Sequence, residues 1–521
     1  MKETILLTDG YKLGHHCQYP EGTEMVYSNW TPRSNKYFPE ATEGAVVFGL
    51  QYLIKEYLIK QFSENFFFKS KEEAVQEFYN RVNTFVGIDH VGIEHIQALW
   101  DLQYLPIEIK ALPEGSICPI RVPMMTIKNT LPEFFWLTNY LETLISCTLW
   151  LPCTSATSAR LYKKELKRHA DKTGFPESVN IGFACHDFSM RGMAGIEAAV
   201  ISGMAHMTSF CGSETIPAIR AVEEYYNTDA GIELVAATVP ATEHSVMCAG
   251  GKEDELATFR RLICDIYPEG FVSIVSDTWD FWQVVEEFLP ALKKEIMARD
   301  GRVVIRPDSG DPVDIICGLR TNPHYNTRIV EGRYYCCYAP FDPDSEYVEV
   351  SVGQYYGAYY MLGNTFGWNT TEKGFMYPSN KVGLLYGDSI TLERQKQIYL
   401  RLEGANMAAC NLVLGVGSYT YQFKSRDSLG FAVKATAVKV NGELKPIFKH
   451  PKTDDGTKNS LKGLIRVEQV TDDNGKTSYV AYDEQSEENE KEGCLETVFK
   501  DGQLIKAYSL SDIRQRIDST L

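Results

Sequence analysis

Along the first 150 positions, apolar residues recur at helical spacing. Val47, Leu50, Ile54, Tyr57 and Leu58 fall on one stripe, and Phe134, Leu137, Leu141 and Leu144 on another. The second stripe follows Thr130-Leu-Pro-Glu133, a capping-box pattern with proline in the first turn, so a helix is expected to start there. From about 155 to 425 the rhythm changes. Short β-branched or apolar runs end in polar or glycine-containing loops and then give way to helical patterns. The run 179–184 precedes His186-Asp187-Phe188, and 272–275 precedes Ser276-Asp277. The run 303–305 precedes Arg306-Pro-Asp308-Ser-Gly310, 382–386 precedes Gly387-Asp388, and 412–414 precedes Gly415-Val-Gly417-Ser418. Strand, loop and helix repeated this way predict a parallel α/β unit, whose ligands collect where the strands end. Two stretches break the pattern: 320–380, rich in Tyr, Asn, Gly and Pro, and 450–495, polar and charged. Both read as insertions or surface loops, and Glu487-Glu488-Asn489-Glu490-Lys491-Glu492 as a solvated charge run.

Composition narrows the class. A chain of 521 residues, 44% hydrophobic and 12% aromatic, is too long for one ordinary core, so two closely packed domains are expected. No run of about 18 apolar residues offers a membrane-spanning helix. The opening Met1-Lys2-Glu3-Thr4 lacks a secretory pattern, and thirteen scattered cysteines suit reduced thiols, so a cytoplasmic setting is expected. A net charge of −17 argues against general nucleic-acid binding but not against a few cations focused on phosphate in one cleft.

The strand ends carry the chemistry. Arg306 suits a bidentate grip on phosphate, and Asp308 can accept from sugar hydroxyls; the alternative is an Asp-capped helix beside a surface ion pair. Gly387-Asp388 repeats the combination of close backbone approach and hydroxyl acceptor. Gly417-Ser418 could turn N–H groups toward a phosphate, or be turn residues only. Phe188 and Arg191 place an aromatic face and a cation three residues apart, although core packing alone would also explain Phe188. His244, between Glu243 and Ser245, matters only if a carboxylate fixes its tautomer and leaves the other ring nitrogen free as base or nucleophile.

Taken in order, these motifs resemble the nicotinamide phosphoribosyltransferases. The similarity runs from Thr8-Asp9-Gly10-Tyr11-Lys12 and Gln18-Tyr19-Pro20 through His186-Asp-Phe-Ser-Met-Arg-Gly192 and Ala241-Thr-Glu-His-Ser245. It continues through Val275-Ser-Asp277, Ile305-Arg-Pro-Asp-Ser-Gly310, Gly387-Asp388 and Arg426-Asp427 to Thr497-Val-Phe-Lys-Asp-Gly502. The resemblance implies an α/β fold with an irregular barrel-like parallel unit, residues 155–425. An additional α+β domain would be formed by residues 1–154 and completed by 426–521. It implies phosphoribosyl transfer from phosphoribosyl pyrophosphate to nicotinamide, giving nicotinamide mononucleotide and pyrophosphate. ATP would be a coupled substrate, Mg²⁺ would be held with the phosphates, and a homodimer would share its active sites.

Carried over by motif, Phe188 and the partner subunit's Tyr11 sandwich the pyridine ring. Arg191 and Arg306 hold the base carboxamide and the 5′-phosphate side. Asp308 and Asp388 hold the ribose, with Gly387, Gly417 and Ser418 around the phosphoribosyl group. Arg33, Arg426, Lys434, Lys449 and Lys458 meet pyrophosphate and ATP phosphates, some of them across the dimer. His244 is the residue phosphorylated by ATP, with Glu243 and Asp277 as orienting carboxylates. Two departures stand out. Glu214 replaces the family's aspartate, which accepts from the nicotinamide amide, and the Arg306–Asp388 interval is longer than usual. The rivals are a nicotinate phosphoribosyltransferase, a catalytically silent relative acting as a binding protein, and a TIM-barrel enzyme using another phosphorylated substrate. Glu214 disfavours the first, joint retention of His244, Asp277, Arg306, Asp308 and Asp388 the second, and the ordered motifs the third.

Overall fold

The computed structural model describes residues 3–387, 389–448, 461–473 and 475–521. Two sheets organise it. The first has seven strands in the order Glu443–Pro446, Ala432–Val440, Thr23–Thr31, Met125–Asn129, Ile107–Ala111, Glu496–Lys500 and Gln503–Leu504, each antiparallel to its neighbour. It therefore interleaves strands from both ends of the chain. The second has six parallel strands in the order Gly212–Ser213, Cys185–Asp187, Leu412–Val416, Val382–Tyr386, Gly301–Arg306 and Gly270–Val275.

The edges of the parallel sheet are joined by the extended segment 237–242. Ala237 pairs with Gly212 on one edge and Ala241 with Ser273 on the other. Thr242 N–H donates to the Ser273 carbonyl at 3.0 Å, and Ser273 N–H to the Pro240 carbonyl at 2.8 Å. The sheet thus curls into an irregular barrel, and this seam feeds directly into Glu243-His244. Every strand end flagged in the sequence opens on the same rim.

Helix Glu142–Thr173 runs without interruption beside both sheets. Leu144, Ile145, Leu149 and Ala156 belong to the core under the seven-stranded sheet. Ala159, Tyr162 and Leu166, further along, belong to the core around the barrel. No helix among the described residues is long and apolar enough to cross a membrane.

Three expectations are corrected. The apolar run 179–184 is largely a 3-10 turn, Ile181–Phe183, and the strand begins only at Cys185. Asn180 explains this: its side chain accepts from Gly182 N–H at 2.9 Å and closes the turn. The 320–380 segment is not structureless. It forms a three-stranded antiparallel sheet (Asn326–Val330, Arg333–Cys337, Val348–Val350) and helices Val352–Tyr356 and Ala358–Phe366. The Arg320 guanidinium lies 4.5 Å over the Tyr356 ring and 4.8 Å over Tyr360, tying the start of the insertion to its own helices. The 450–495 segment contains the hairpin Leu464–Thr471/Thr477–Gln485. Within its charge run, Glu490 is buried against Lys110, 2.8 Å away.

One buried ion cluster makes the helix packing pH-sensitive. Glu403, on helix Leu392–Gly404, accepts from His169 Nδ1 and Arg168 Nη2 at 2.8 Å and from Lys172 Nζ at 2.6 Å. Burial alone would raise its pKa; its three cationic and imidazole donors instead hold it at about 2. A depressed carboxylate stabilises above its unfolded pKa, and that contribution is lost as pH falls through the folded one. Acid melts of the wild type should therefore lose stability progressively from about pH 4.5 toward pH 2. Glu403→Gln should flatten that slope and cost about 1–3 kcal/mol at neutral pH, a modest figure because Arg168 and Lys172 are partly solvated.

Candidate active site

Seven strand or seam ends converge on the barrel rim. His244 opens helix His244–Gly250, and its Nε2 lies 3.2 Å from Asp277 Oδ1. Asp277 Oδ2 accepts from Asp308 N–H at 2.9 Å and from the Ser309 hydroxyl at 2.6 Å. Burial pushes the Asp277 carboxyl upward, but these donors and His244 outweigh it and hold the pKa below the usual value. A carboxylate only accepts, so the His244 proton sits on Nε2 and the lone pair on Nδ1. Asp277 is almost fully buried whereas the imidazole is 48% exposed, which leaves the ring reachable.

The expectation that Glu243 also orients His244 is not met by the geometry. Glu243 is the N-cap residue in an extended conformation, and its carboxylate accepts from the Ser245 hydroxyl instead. Neighbours in sequence at a helix start do not face each other, whereas Asp277 arrives from the adjacent strand.

Arg306 turns inward and donates to the Thr242 carbonyl of the seam, while its Nε is buried without a partner among the described residues. Its charge is felt by Glu214. Arg306 thus faces the interior of the barrel, toward the Glu214 end. Asp308 packs against Gly387: a Cβ on that glycine would stand 2.0 Å from Asp308 Oδ1. Gly387 N–H also donates to the Pro307 carbonyl at 3.2 Å. The turn Met190–Gly192 interlocks with Gly417-Ser418, since a Cβ on Gly192 would lie 2.1 Å from Ser418 Oγ. That contact brings Arg191 and Ser418 onto adjoining loops. Asp388, Lys449 and Lys458 lie outside the described residues.

Arg306 lines a cavity of about 510 Å³ inside the barrel, whereas His244, Asp277, Asp308, Gly387, Arg191 and Ser418 stand outside its lining. His186, Phe188, Glu214, Thr238 and Arg306 line its rim end; it continues past Ser273 toward Arg302 and Asn411, near the start of the strands. Phe188 is fixed by its N–H, which donates to the Val416 carbonyl at 2.9 Å, and its ring centroid lies 4.7 Å from that of His186. Glu214 Oε1 accepts from His186 Nε2 at 3.0 Å and from the Thr238 hydroxyl. The His186 contact is the largest factor holding the Glu214 pKa below the usual value.

Beneath this rim sits Asp187, fully buried. Oδ1 accepts from Ser189 N–H at 2.9 Å, and Oδ2 from the Thr215 and Ser213 hydroxyls at 2.7 and 3.3 Å. It ties the loop carrying Phe188 to the loop carrying Glu214. His186, Asp187 and Thr238 were missed as site builders. The first two stand inside the strand-end motif that drew attention to Phe188 and Arg191, and strand alternation there was the available signal. Nothing local marks Thr238.

Tyr11, Arg33, Arg426 and Lys434 do not line this cavity within one chain. Tyr11 is 67% exposed on the turn Gly10–Lys12. Arg33 Nε donates to the Gly430 carbonyl at 2.9 Å, Arg426 lies beside Asp427 at 3.3 Å, and Lys434 pairs in register with Asn29. These three cations therefore gather around the start of strand Ala432–Val440.

Residues 183–502 match the model of the nicotinate phosphoribosyltransferase (NAPRTase) family, and residues 3–109 match that of the nicotinamide phosphoribosyltransferase N-terminal domain. The chain belongs to the nicotinate phosphoribosyltransferase family. A relative from Acinetobacter baylyi, named nicotinamide phosphoribosyltransferase, is 47% identical across 98% of this chain and 96% of its own length. One of the same name from Mycoplasma pneumoniae is 32% identical across 88% of this chain and 94% of its own. Among solved structures, human nicotinic acid phosphoribosyltransferase superposes with a TM-score of 0.56 at 15% identity, covering 99% of this chain and 93% of that one. A nicotinate-nucleotide pyrophosphorylase from Pyrococcus furiosus gives 0.53 at 14% identity, covering 99% and 95%. At such identities these two structures speak to the fold alone, and that fold is the one described above.

Proposed function

We propose that this chain transfers the phosphoribosyl group of phosphoribosyl pyrophosphate to nicotinamide. The pyridine nitrogen bonds to the ribosyl carbon as the bond to pyrophosphate breaks, giving nicotinamide mononucleotide and pyrophosphate. The observation that carries the choice of base is Glu214, a carboxylate at the rim end of the cavity beside Phe188. A carboxylate accepts from a carboxamide N–H₂ and repels the carboxylate of nicotinate. Relatives that match nearly the whole chain and are named for the nicotinamide reaction support the same choice.

The residues divide the work. Phe188 offers its face to the base, Glu214 and Arg191 its carboxamide, and Asp308 the ribose hydroxyls. Nicotinamide is a weak nucleophile, so the rate must come from positioning and from stabilising the departing charge. Among the described residues no three His, Cys, Asp or Glu side chains form a metal-holding group. Mg²⁺ would be carried by the phosphates, as is usual for it, and would neutralise charge on the leaving pyrophosphate.

ATP coupling is part of this proposal. The lone pair on His244 Nδ1, fixed by the Nε2–Asp277 contact, would attack the γ-phosphorus of ATP and release ADP. A homodimer is proposed as well. The exposed rings of Tyr11 and of the stacked pair Tyr419–Phe423 support it, as aromatic faces that a second subunit would cover. Unpaired thiols at all thirteen cysteines support a reducing, cytoplasmic setting.

The test is direct. The protein is incubated with phosphoribosyl pyrophosphate, Mg²⁺ and either nicotinamide or nicotinate, with and without ATP, and mononucleotide is measured. Product with nicotinamide is expected, and its absence under every condition refutes the proposal. In the same assay Glu214→Ala should raise the nicotinamide KM by about tenfold, the value of one charged hydrogen bond. It should also narrow the preference over nicotinate; unchanged kinetics with both bases would remove Glu214 from the base site.

A further inference from the structure

Glu214 has two oxygens, and the fold uses only one. Oε1 takes both protein donors, His186 Nε2 at 3.0 Å and the Thr238 hydroxyl. Oε2 has no hydrogen bond among the described residues. The arrangement is built from three separate elements. His186 sits on strand Cys185–Asp187, nearly buried, and Glu214 follows strand Gly212–Ser213. Thr238 lies on the seam that closes the barrel. Even the neighbouring strand makes room, since a Cβ on Gly212 would stand 2.7 Å from His186 Nδ1.

We propose that His186 and Thr238 are the positioning residues for base selectivity: by occupying Glu214 Oε1 they aim Oε2 at the ligand's carboxamide. This rests on the reading of Glu214 given above and deepens it. A glutamate has three side-chain torsions, one more than the aspartate it replaces, and would otherwise swing away from the base or present either oxygen. The two donors remove that freedom. They also keep the carboxylate charged, so that a second carboxylate brought in by nicotinate meets repulsion instead of a shared proton.

The test uses the full-length enzyme with both bases. His186→Leu removes the donor at similar volume, and Thr238→Val does the same for the hydroxyl. His186→Gln keeps a donor near the position of Nε2. The leucine variant should lose about tenfold to a hundredfold in kcat/KM for nicotinamide, the worth of a hydrogen bond to a charged group, mainly through KM. Its KM for phosphoribosyl pyrophosphate should hold, its nicotinamide-to-nicotinate ratio should fall, and Thr238→Val should move the ratio the same way. His186→Gln should recover most of the loss. The positioning role is overturned if the ratio is unchanged in both the leucine and valine variants, or if glutamine rescues nothing. It is overturned equally if the pyrophosphate substrate suffers as much as the base, which is what a merely structural role would produce. A wild type that turns over nicotinamide normally while the variants leave the ratio untouched defeats this inference alone. A wild type inactive with nicotinamide defeats the proposed function too.

Discussion

His244→Ala is expected to abolish the stimulation of mononucleotide formation by ATP while leaving slow ATP-independent turnover. The base and phosphoribosyl contacts do not pass through the imidazole, so binding of those substrates should survive. What disappears is a rim imidazole whose proton is pinned to one nitrogen by a buried carboxylate, Asp277. ADP release in the presence of both substrates should drop to background, and label from [γ-³²P]ATP should no longer appear on the protein in acid-labile form. Asp277→Asn should reproduce most of this, about a hundredfold or more in the ATP-coupled rate, because an asparagine N–H₂ facing Nε2 favours the wrong tautomer. It would also deprive Asp308 N–H and the Ser309 hydroxyl of an ionised acceptor. Undiminished ATP stimulation in His244→Ala would show that phosphate is carried elsewhere.

The second large effect is expected from a single methyl group. Gly387→Ala would put a Cβ 2.0 Å from Asp308 Oδ1, well inside contact distance, at the end of a strand whose neighbours leave no slack. The Asp308 carboxylate has to rotate off its present position, while the backbone N–H that donates to Asp277 can stay in place. A displacement of about 1 Å at a group that positions substrate costs about a hundredfold in rate. The loss should fall on kcat/KM for phosphoribosyl pyrophosphate, with the melting temperature nearly unchanged because the residue lies at the rim and not in the core. Near-wild-type activity in Gly387→Ala would show that Asp308 does not need its present place.

The barrel strands were legible because each is a short apolar run that stops at a glycine or a charged residue, and both facts have one cause: a buried parallel strand ends where ligands enter. The strand before His186 was displaced because Asn180 caps a 3-10 turn, and apolar content alone does not distinguish that turn from a strand. The elements inside the 320–380 insertion were not legible because its strands are three to five residues long and its packing is aromatic, with no period to detect. Glu490 was read as solvated because its partner Lys110 is 380 residues away. At the site, His244, Phe188, Asp277 and Asp308 could be named from motifs. Which carboxylate faces His244 could not, since that depends on strand adjacency. Thr238 was invisible for the same reason: it acts through the closure of the barrel.

Strand Thr23–Thr31 pairs along its length with Ala432–Val440, about four hundred residues later in the chain. During synthesis, therefore, this strand has an open edge until about four hundred further residues have followed it. Such an edge is a template for pairing with other nascent chains. The sheet cannot close on that side before residues 432–440 have been made. A product terminated before residue 432 would lack more than its final residues: it would carry an unfinished sheet, and its fate would be capture by a chaperone or aggregation.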